Sequence, residues 1–349
     1  MSFSEKKVYI VVLNYNNWID TIACAKSVLL NDYENFQLII VDNASTDGSA
    51  RRIKRWLDEE LEPWSPKSDS LRDLFISPLG RDIEYECYED DTFLKQNSLS
   101  SKKVIFIRSN KNDGYGAGNN LGIKFALMKN DFEYIWILNN DTLVTKEALK
   151  KLIFFAEEKP DAGLIGTTLL FYDAPDKIQA FGGSFNYLMA VQKHNLAHRE
   201  FAMPKLKEFN QKRLDYIIGA SMLMSKRYIQ KAGLMPEEYF IYFEEIDIAT
   251  RCKRNNLDIS ICEEAIVYHK ESASIEAQDQ KLGSFSDFYA MRNRLVFTKK
   301  FFPYFLPSVY LGLVLSMLLR MKRGDKKGVK NILRILKTPL SKITDLKYR

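Results

Sequence analysis

The stretch EYIWILNNDTLV, Glu133 to Val144, climbs through Tyr134, Ile135, Trp136, Ile137 and Leu138, then breaks into Asn139, Asn140 and Asp141 before turning apolar again. A continuous apolar run of this length reads as a strand buried on both faces. Three more segments repeat the pattern. VYIVVLNY (8–15) ends in Asn14 and Tyr15, FQLIIVDN (36–43) in Asp42 and Asn43, and VIFIRSN (104–110) in Asn110. Helical apolar spacing fills the gaps, from Ile19 to Leu30, through Ile53 and Leu57 after STDGS, and along GAGNNLGIKFALMKN. Strands alternating with helices predict an α/β fold with a mostly parallel central sheet flanked by helices, and in such sheets ligands bind beyond the carboxyl ends of the strands. One polar strand end is commonly a turn or a helix cap. Four together point to a site.

Length and composition set the bounds. A chain of 349 residues buries a sizeable core in one large domain or two smaller ones. Cys24, Cys87, Cys252 and Cys262 have no metal-type spacing and are too few for a disulfide framework, which favours a reduced compartment. MSFSEKKVYIVVLNY enters an apolar strand without the succession of a secretory signal, so a cytoplasmic location is expected. The net charge of +6 is uneven: from Arg320 to Arg349 eleven Lys or Arg face only Asp325 and Asp345. Nucleic acid is one conceivable partner for that charge, but no recognition motif accompanies it. Between residues 61 and 103 the sequence becomes rich in Pro, Ser and charge, and an insertion on the domain edge is expected there.

Several motifs occur in a fixed order: VVLNYNN, VDNASTDGS, NDGYGAGNN, LNNDT, YFIYFEEIDIATR, IVYHKESAS and FYAMRNRL. Together they resemble the inverting glycosyltransferases of family 2, in particular a rhamnosyltransferase-like branch, over about Val8 to Phe297 apart from the insertion. The resemblance implies a GT-A fold with a Rossmann-like nucleotide-binding half over residues 1–300. It also implies a nucleotide-diphosphate sugar donor and a saccharide or lipid-linked saccharide acceptor in cell-surface polysaccharide synthesis. The glycines at 114, 116 and 118 do not fit the dinucleotide fingerprint; they suit close backbone approach at a strand-to-helix turn.

The chemistry accounts for the residue types. Loss of a nucleoside diphosphate leaves negative charge that a divalent cation neutralises, and Mg²⁺ or Mn²⁺ favours carboxylate ligands, with imidazole acceptable for Mn²⁺. Asp141 supplies the carboxylate, and the resemblance implies His269 as the distal metal ligand. Asn139 stands where the first acid of a DxD motif would be, and brings no charge. Asp42 and Asn43 can pair with the edge of a pyrimidine base. The resemblance extends donor binding to Asn14, Tyr15, Asn112, Gly114, Gly118, Asn119, Asn139 and Asn140. Gly219 and Ala220 would leave room for a sugar, and Arg292 would reach phosphate oxygens. Inversion needs one base to take the acceptor's proton. Glu245 occupies the matching position with Glu244 as its neighbour and rival, whereas Asp247 and Arg251 are spaced for an ion pair.

The last fifty residues read as a separate membrane-associating extension, 301–349. FFPYFLPSVYLGLVLSMLL, Phe301 to Leu319, carries no charge but is broken by Pro303 and Pro307, which favours shallow insertion over a span. KKGVKNILRILK places Val329, Ile332, Leu333 and Leu336 on one face and lysines on the other, as an in-plane helix on anionic lipid would. The expected location is the cytoplasmic face of the membrane. Two rival functions are separable. A nucleotidyltransferase would show a glycine-rich basic loop that VVLNYNNW lacks, and a non-catalytic sugar-nucleotide-binding scaffold would keep Asp42 while losing the acid at 141 or 245, both of which are present.

Overall fold

A computed structural model describes residues 5–59, 71, 83–96, 98–270 and 284–348. The first half alternates as expected: β1 (Val8–Asn14), α1 (Trp18–Leu29), β2 (Phe36–Asp42), α2 (Ser49–Leu57), β3 (Tyr85–Glu89), β4 (Val104–Arg108), α3 (Tyr115–Lys129) and β5 (Tyr134–Asn139). The middle of the chain gives β6 (Thr142–Val144), α4 (Ala148–Glu158), β7 (Ala162–Phe171), β8 (Ile178–Ala180), β9 (Gly183–Asn186) and β10 (Val191–His194). Beyond these lie α5 (Met203–Lys207), β11 (Ser221–Ser225), α6 (Lys226–Ala232), α7 (Glu244–Arg254) and β12 (Asp258–His269). Three helices follow, α8 (Phe285–Phe301), α9 (Leu306–Lys322) and α10 (Lys326–Lys337).

The main sheet runs β3-β4-β2-β1-β5-β11-β7-β12-β6, with β8 beside β7 and β9-β10 apart. From β3 to β5 every pairing is parallel; β11 is antiparallel to both its neighbours. Alternate side chains of the parallel strands enter opposite core layers. Val11, Val41 and Ile137 pack under α3, and Val12, Ile40 and Leu138 pack under α1, α2 and α4, which is why these strands read as unbroken apolar runs. The chain leaves β1 toward β2 on one side, while β5 takes the other, so the strand order reverses between β1 and β5. In register, Asn14 lies opposite Asp42 and Leu13 opposite Asn139, bringing the polar strand ends level at that switch point.

The 61–103 region supplies β3, an edge strand of the main sheet paired with β4 from Tyr85 to Glu89; residues 61–70, 72–82 and 97 lie outside the described ones, as do Glu271–Ser274 of the IVYHKESAS motif. The expectation of a separate extension over 301–349 needs correction. Val309, Leu313, Ile332, Ile335 and Ile343 belong to the same core as the sheet's α3 face, so the apolar side of α10 faces protein. A forked ion pair from Arg320 to both oxygens of Asp287, 2.6 and 2.7 Å, fastens α9 to α8.

Candidate active site

The switch point is built from side chains that mostly hold one another. Asn14, buried at the end of β1, donates to Asp42 Oδ1 at 2.6 Å and to Ser45 Oγ at 3.0 Å, and accepts from Thr21 Oγ1 at 2.7 Å. The other oxygen of Asp42 accepts from the Ser45 N–H at 3.1 Å, so this carboxylate shapes the loop after β2. Tyr15, next along, is exposed. Asn43 donates to Asn112 Oδ1 at 3.0 Å and to the Gly114 carbonyl at 3.2 Å, joining two strand ends.

The turn into α3 is set by close approach. Gly114 has φ +100°, and a Cβ there would lie 2.3 Å from the Phe240 carbonyl oxygen, while a Cβ at Gly118 would lie 2.5 Å from Leu13. Asn119 is buried and donates to the Tyr115 carbonyl, and its Oδ1 has no partner among the described residues. Asn140, expected at the donor, donates to the Asn17 carbonyl and Thr21 Oγ1, tying the end of β5 to the start of α1.

Asp141 and His269 meet as expected. His269, at the end of β12 opposite Thr142 of β6, places Nε2 3.1 Å from Asp141 Oδ1. Burial raises the Asp141 pKa, but His269 beside it, with Lys270, outweighs that and holds the carboxyl below its ordinary value. His269 Nδ1 lies 2.8 Å from Gln179 Oε1. An amide oxygen only accepts, so Nδ1 donates to it, and Nε2 is turned toward Asp141, donating to the carboxylate while the imidazole is charged and free to bind a cation once neutral. The two donor atoms suit a divalent ion, since adjacent ligands of an octahedral ion with bonds of about 2.1 Å stand roughly 3 Å apart. No group of three His, Cys, Asp or Glu side chains gathers among the described residues. Gln179 lies on β8, far from any motif in sequence, and no local signal marks it.

The acids at the start of α7 differ sharply. Glu244 is 2% exposed, its Oε1 has no partner among the described residues, and burial together with the Glu245 charge raises its pKa well above 4.5. Glu245 is half-buried, and burial raises its pKa to about 7 against the pull of nearby backbone N–H groups. A Cβ at Gly219 would lie 4.0 Å from the Glu245 Cβ, so the absence of a side chain there leaves open space beside Glu245. The loop leading in holds three non-glycine residues in the left-handed region, Phe240, Tyr242 and Phe243. Strain of this kind persists only where the surroundings impose it. Asn293 imposes it, donating to the carbonyls of Tyr239, Ile241 and Tyr242 at 3.1, 2.8 and 2.9 Å.

Arg292 does not reach a phosphate site. It is buried, and its guanidinium donates to the carbonyls of Glu238, Tyr239, Ile343 and Thr344 and to Asn293 Oδ1, bracing the Glu238–Tyr242 loop against the C-terminal segment. The expected Asp247–Arg251 ion pair is present at 2.6 Å, and Tyr239 and Lys300 complete it. Tyr115, within the NDGYGAGNN motif but with no local signal of a role, links the two halves. Its buried hydroxyl is 2.9 Å from Asn139 Oδ1 and 3.0 Å from the Gly219 carbonyl. Burial and then the charges of Glu244, Glu245 and Asp141 raise its pKa, so it stays a neutral donor.

A mostly parallel sheet with polar strand ends gathered at its switch point is the α/β arrangement that binds ligands beyond its strands, and likeness to known proteins narrows the class. The chain belongs to the family described as "Glycosyltransferase like family 2", matched over residues 90–283, and "Glycosyl transferase family 2" matches residues 9–66. It is 25% identical over 209 residues to the low-salt glycan biosynthesis hexosyltransferase Agl10 of Haloferax volcanii, covering 58% of this chain and 62% of that protein, less than two thirds of its length. Two solved structures share the GT-A fold. The mannosyltransferase PcManGT from Pyrobaculum calidifontis, in complex with GDP-Man and Mn²⁺, has a TM-score of 0.51 at 10% identity, covering 95% of this chain and 86% of that one. GalNAc-T7 with UDP, GalNAc and Mn²⁺ has a TM-score of 0.56 at 11% identity, covering 98% and 56%.

Proposed function

We propose that this protein transfers a hexose or deoxyhexose, rhamnose in the branch its motifs resemble, from a nucleotide-diphosphate sugar to a saccharide or lipid-linked saccharide hydroxyl with inversion at the anomeric carbon. The observation that carries the reading is the Tyr115 hydroxyl, which joins the metal-side strand end at Asn139 to the open space at Gly219 beside Glu245. Leaving group and nucleophile need those two places next to each other. The hexosyltransferase relative supports the substrate class, and the structural neighbours bound to Mn²⁺ support a divalent cation.

In this reading Asp141 and His269 would hold Mg²⁺ or Mn²⁺, which when bound neutralises charge on the departing diphosphate. Gln179 fixes the His269 ring so that Nε2 faces the site. Glu245, with a pKa of about 7, takes the acceptor's proton, since a base works best with a pKa near the operating pH. Glu244, whose pKa burial and the Glu245 charge raise well above its ordinary value, is the poorer base of the two. Purified protein should be stabilised against heat by nucleotide sugars only with Mn²⁺ present, and NMR of the product should show an anomeric configuration opposite to the donor's. A product retaining the donor's configuration would overturn the inverting role of Glu245.

A further inference from the structure

The helix α9 is apolar on both sides. Its inner side packs Val309 and Leu313 into the core and carries Arg320 in its ion pair. On the opposite side Leu311, Leu315 and Leu318 are 59, 48 and 52% exposed, and Tyr304, in the turn just before the helix, is 69% exposed. A surface helix ordinarily turns charged or polar residues outward. Here no charged residue occurs from Leu306 to Leu319.

We propose that this outer face is a docking surface for an anionic lipid bilayer, with α9 lying in the plane of the membrane. Charge selects that partner. The stripe ends at Lys322, Arg323, Lys326 and Lys327, all exposed, at the start of a stretch rich in Lys and Arg. Such a cluster is attracted to anionic headgroups, while the leucines enter the boundary between headgroups and acyl chains. A second copy would present no counter-charge to this cluster, whereas anionic headgroups do. A span is excluded by the inner face, because Val309, Leu313 and buried Arg320 are committed to the protein and cannot meet lipid. The surface therefore lies on α9, and α10, whose Ile332 and Ile335 are buried, contributes charge only.

Co-sedimentation of the full chain with vesicles tests this, using phosphatidylcholine alone or with phosphatidylglycerol. One variant carries Leu311→Ser, Leu315→Ser and Leu318→Ser; another carries Lys322→Gln, Arg323→Gln and Lys326→Gln. All these sites are exposed, so both variants should keep the circular dichroism spectrum and unfolding midpoint of the parent. The parent should pellet with the anionic vesicles only. The serine variant should lose about a hundredfold or more in partitioning, and the glutamine variant about tenfold or more, with a smaller further loss in high salt than the parent shows. Unchanged binding by the serine variant, or no binding by the parent, would overturn the proposal. So would a parent dimer in sedimentation velocity that the serine changes dissociate, which would assign the face to a second copy.

Discussion

Between Asp141 Oδ1 and His269 Nε2, 3.1 Å apart, the metal assignment becomes a matter of single atoms. Asp141→Ala should abolish Mn²⁺-dependent affinity for a nucleoside diphosphate in calorimetry, and His269→Ala should weaken it. Gln179→Leu keeps the size but removes the acceptor, so it should weaken Mn²⁺ binding by about tenfold or more while leaving metal-free unfolding nearly unchanged; equal metal affinity in that variant would confine Gln179 to packing. Glu245 gives a second, pH-resolved test. Its folded pKa of about 7 lies above the ordinary 4.5, so the folded state binds more protons between those values. Its carboxyl therefore favours folding most below about 4.5, and that contribution is lost as pH rises through about 7. Glu245→Gln should raise the unfolding temperature relative to the parent at pH 8 and by less at pH 5. The same change should cost roughly 10²- to 10⁴-fold in turnover, and the parent's kcat/KM should rise with pH up to about 7. Glu244→Gln should lose far less, and the reverse ranking would move the base to Glu244.

At the scale of elements, the parallel half was readable in advance because both faces of its strands are buried and their polar ends are compelled by the switch point. Asn14, Asp42 and Asn139 came together as the alternation implied. The roles of Asn140 and Arg292 were not readable, since a polar residue in a motif serves ligand or scaffold according to what its partners leave unsatisfied, and those partners are remote carbonyls such as Ile343 and Thr344. Two glycines separate these uses experimentally. A Cβ at Gly116 would lie 2.2 Å from the Pro236 carbonyl oxygen, which is backbone and cannot swing aside, so Gly116→Ala should destabilise the fold by about 1–3 kcal/mol. At Gly219 the nearest atoms are 4.0 Å away, so Gly219→Ala should leave the unfolding transition in place and instead raise the KM for the acceptor. An unchanged acceptor KM would remove Gly219 from the acceptor space. Asn293→Ala should act as Gly116→Ala does, by about 1–3 kcal/mol, because it strands the buried carbonyls of the strained loop before Glu245.

The whole molecule depends on its last fifty residues. Their composition, an uncharged run followed by a basic helix, reads as an anchor attached to a finished domain, because hydropathy alone cannot tell an apolar face that meets lipid from one that meets core. In the structure one side of α9 faces outward, while Val309, Leu313, Ile332, Ile335 and Ile343 complete the core shared with the sheet. Five such side chains at about 1.5–3 kcal/mol each are comparable to the entire stability of an ordinary domain, some 5–15 kcal/mol. The carbonyls of Ile343 and Thr344 also accept from Arg292, whose other hydrogen bonds hold the loop that presents Glu245. Deleting residues 301–349 should therefore abolish the cooperative thermal transition and donor binding together, with rapid proteolysis of the remainder, whereas the serine substitutions on α9 should spare both. A soluble 1–300 fragment that unfolds cooperatively near the full chain's midpoint would show that the segment is an appendage and that the catalytic half stands without it.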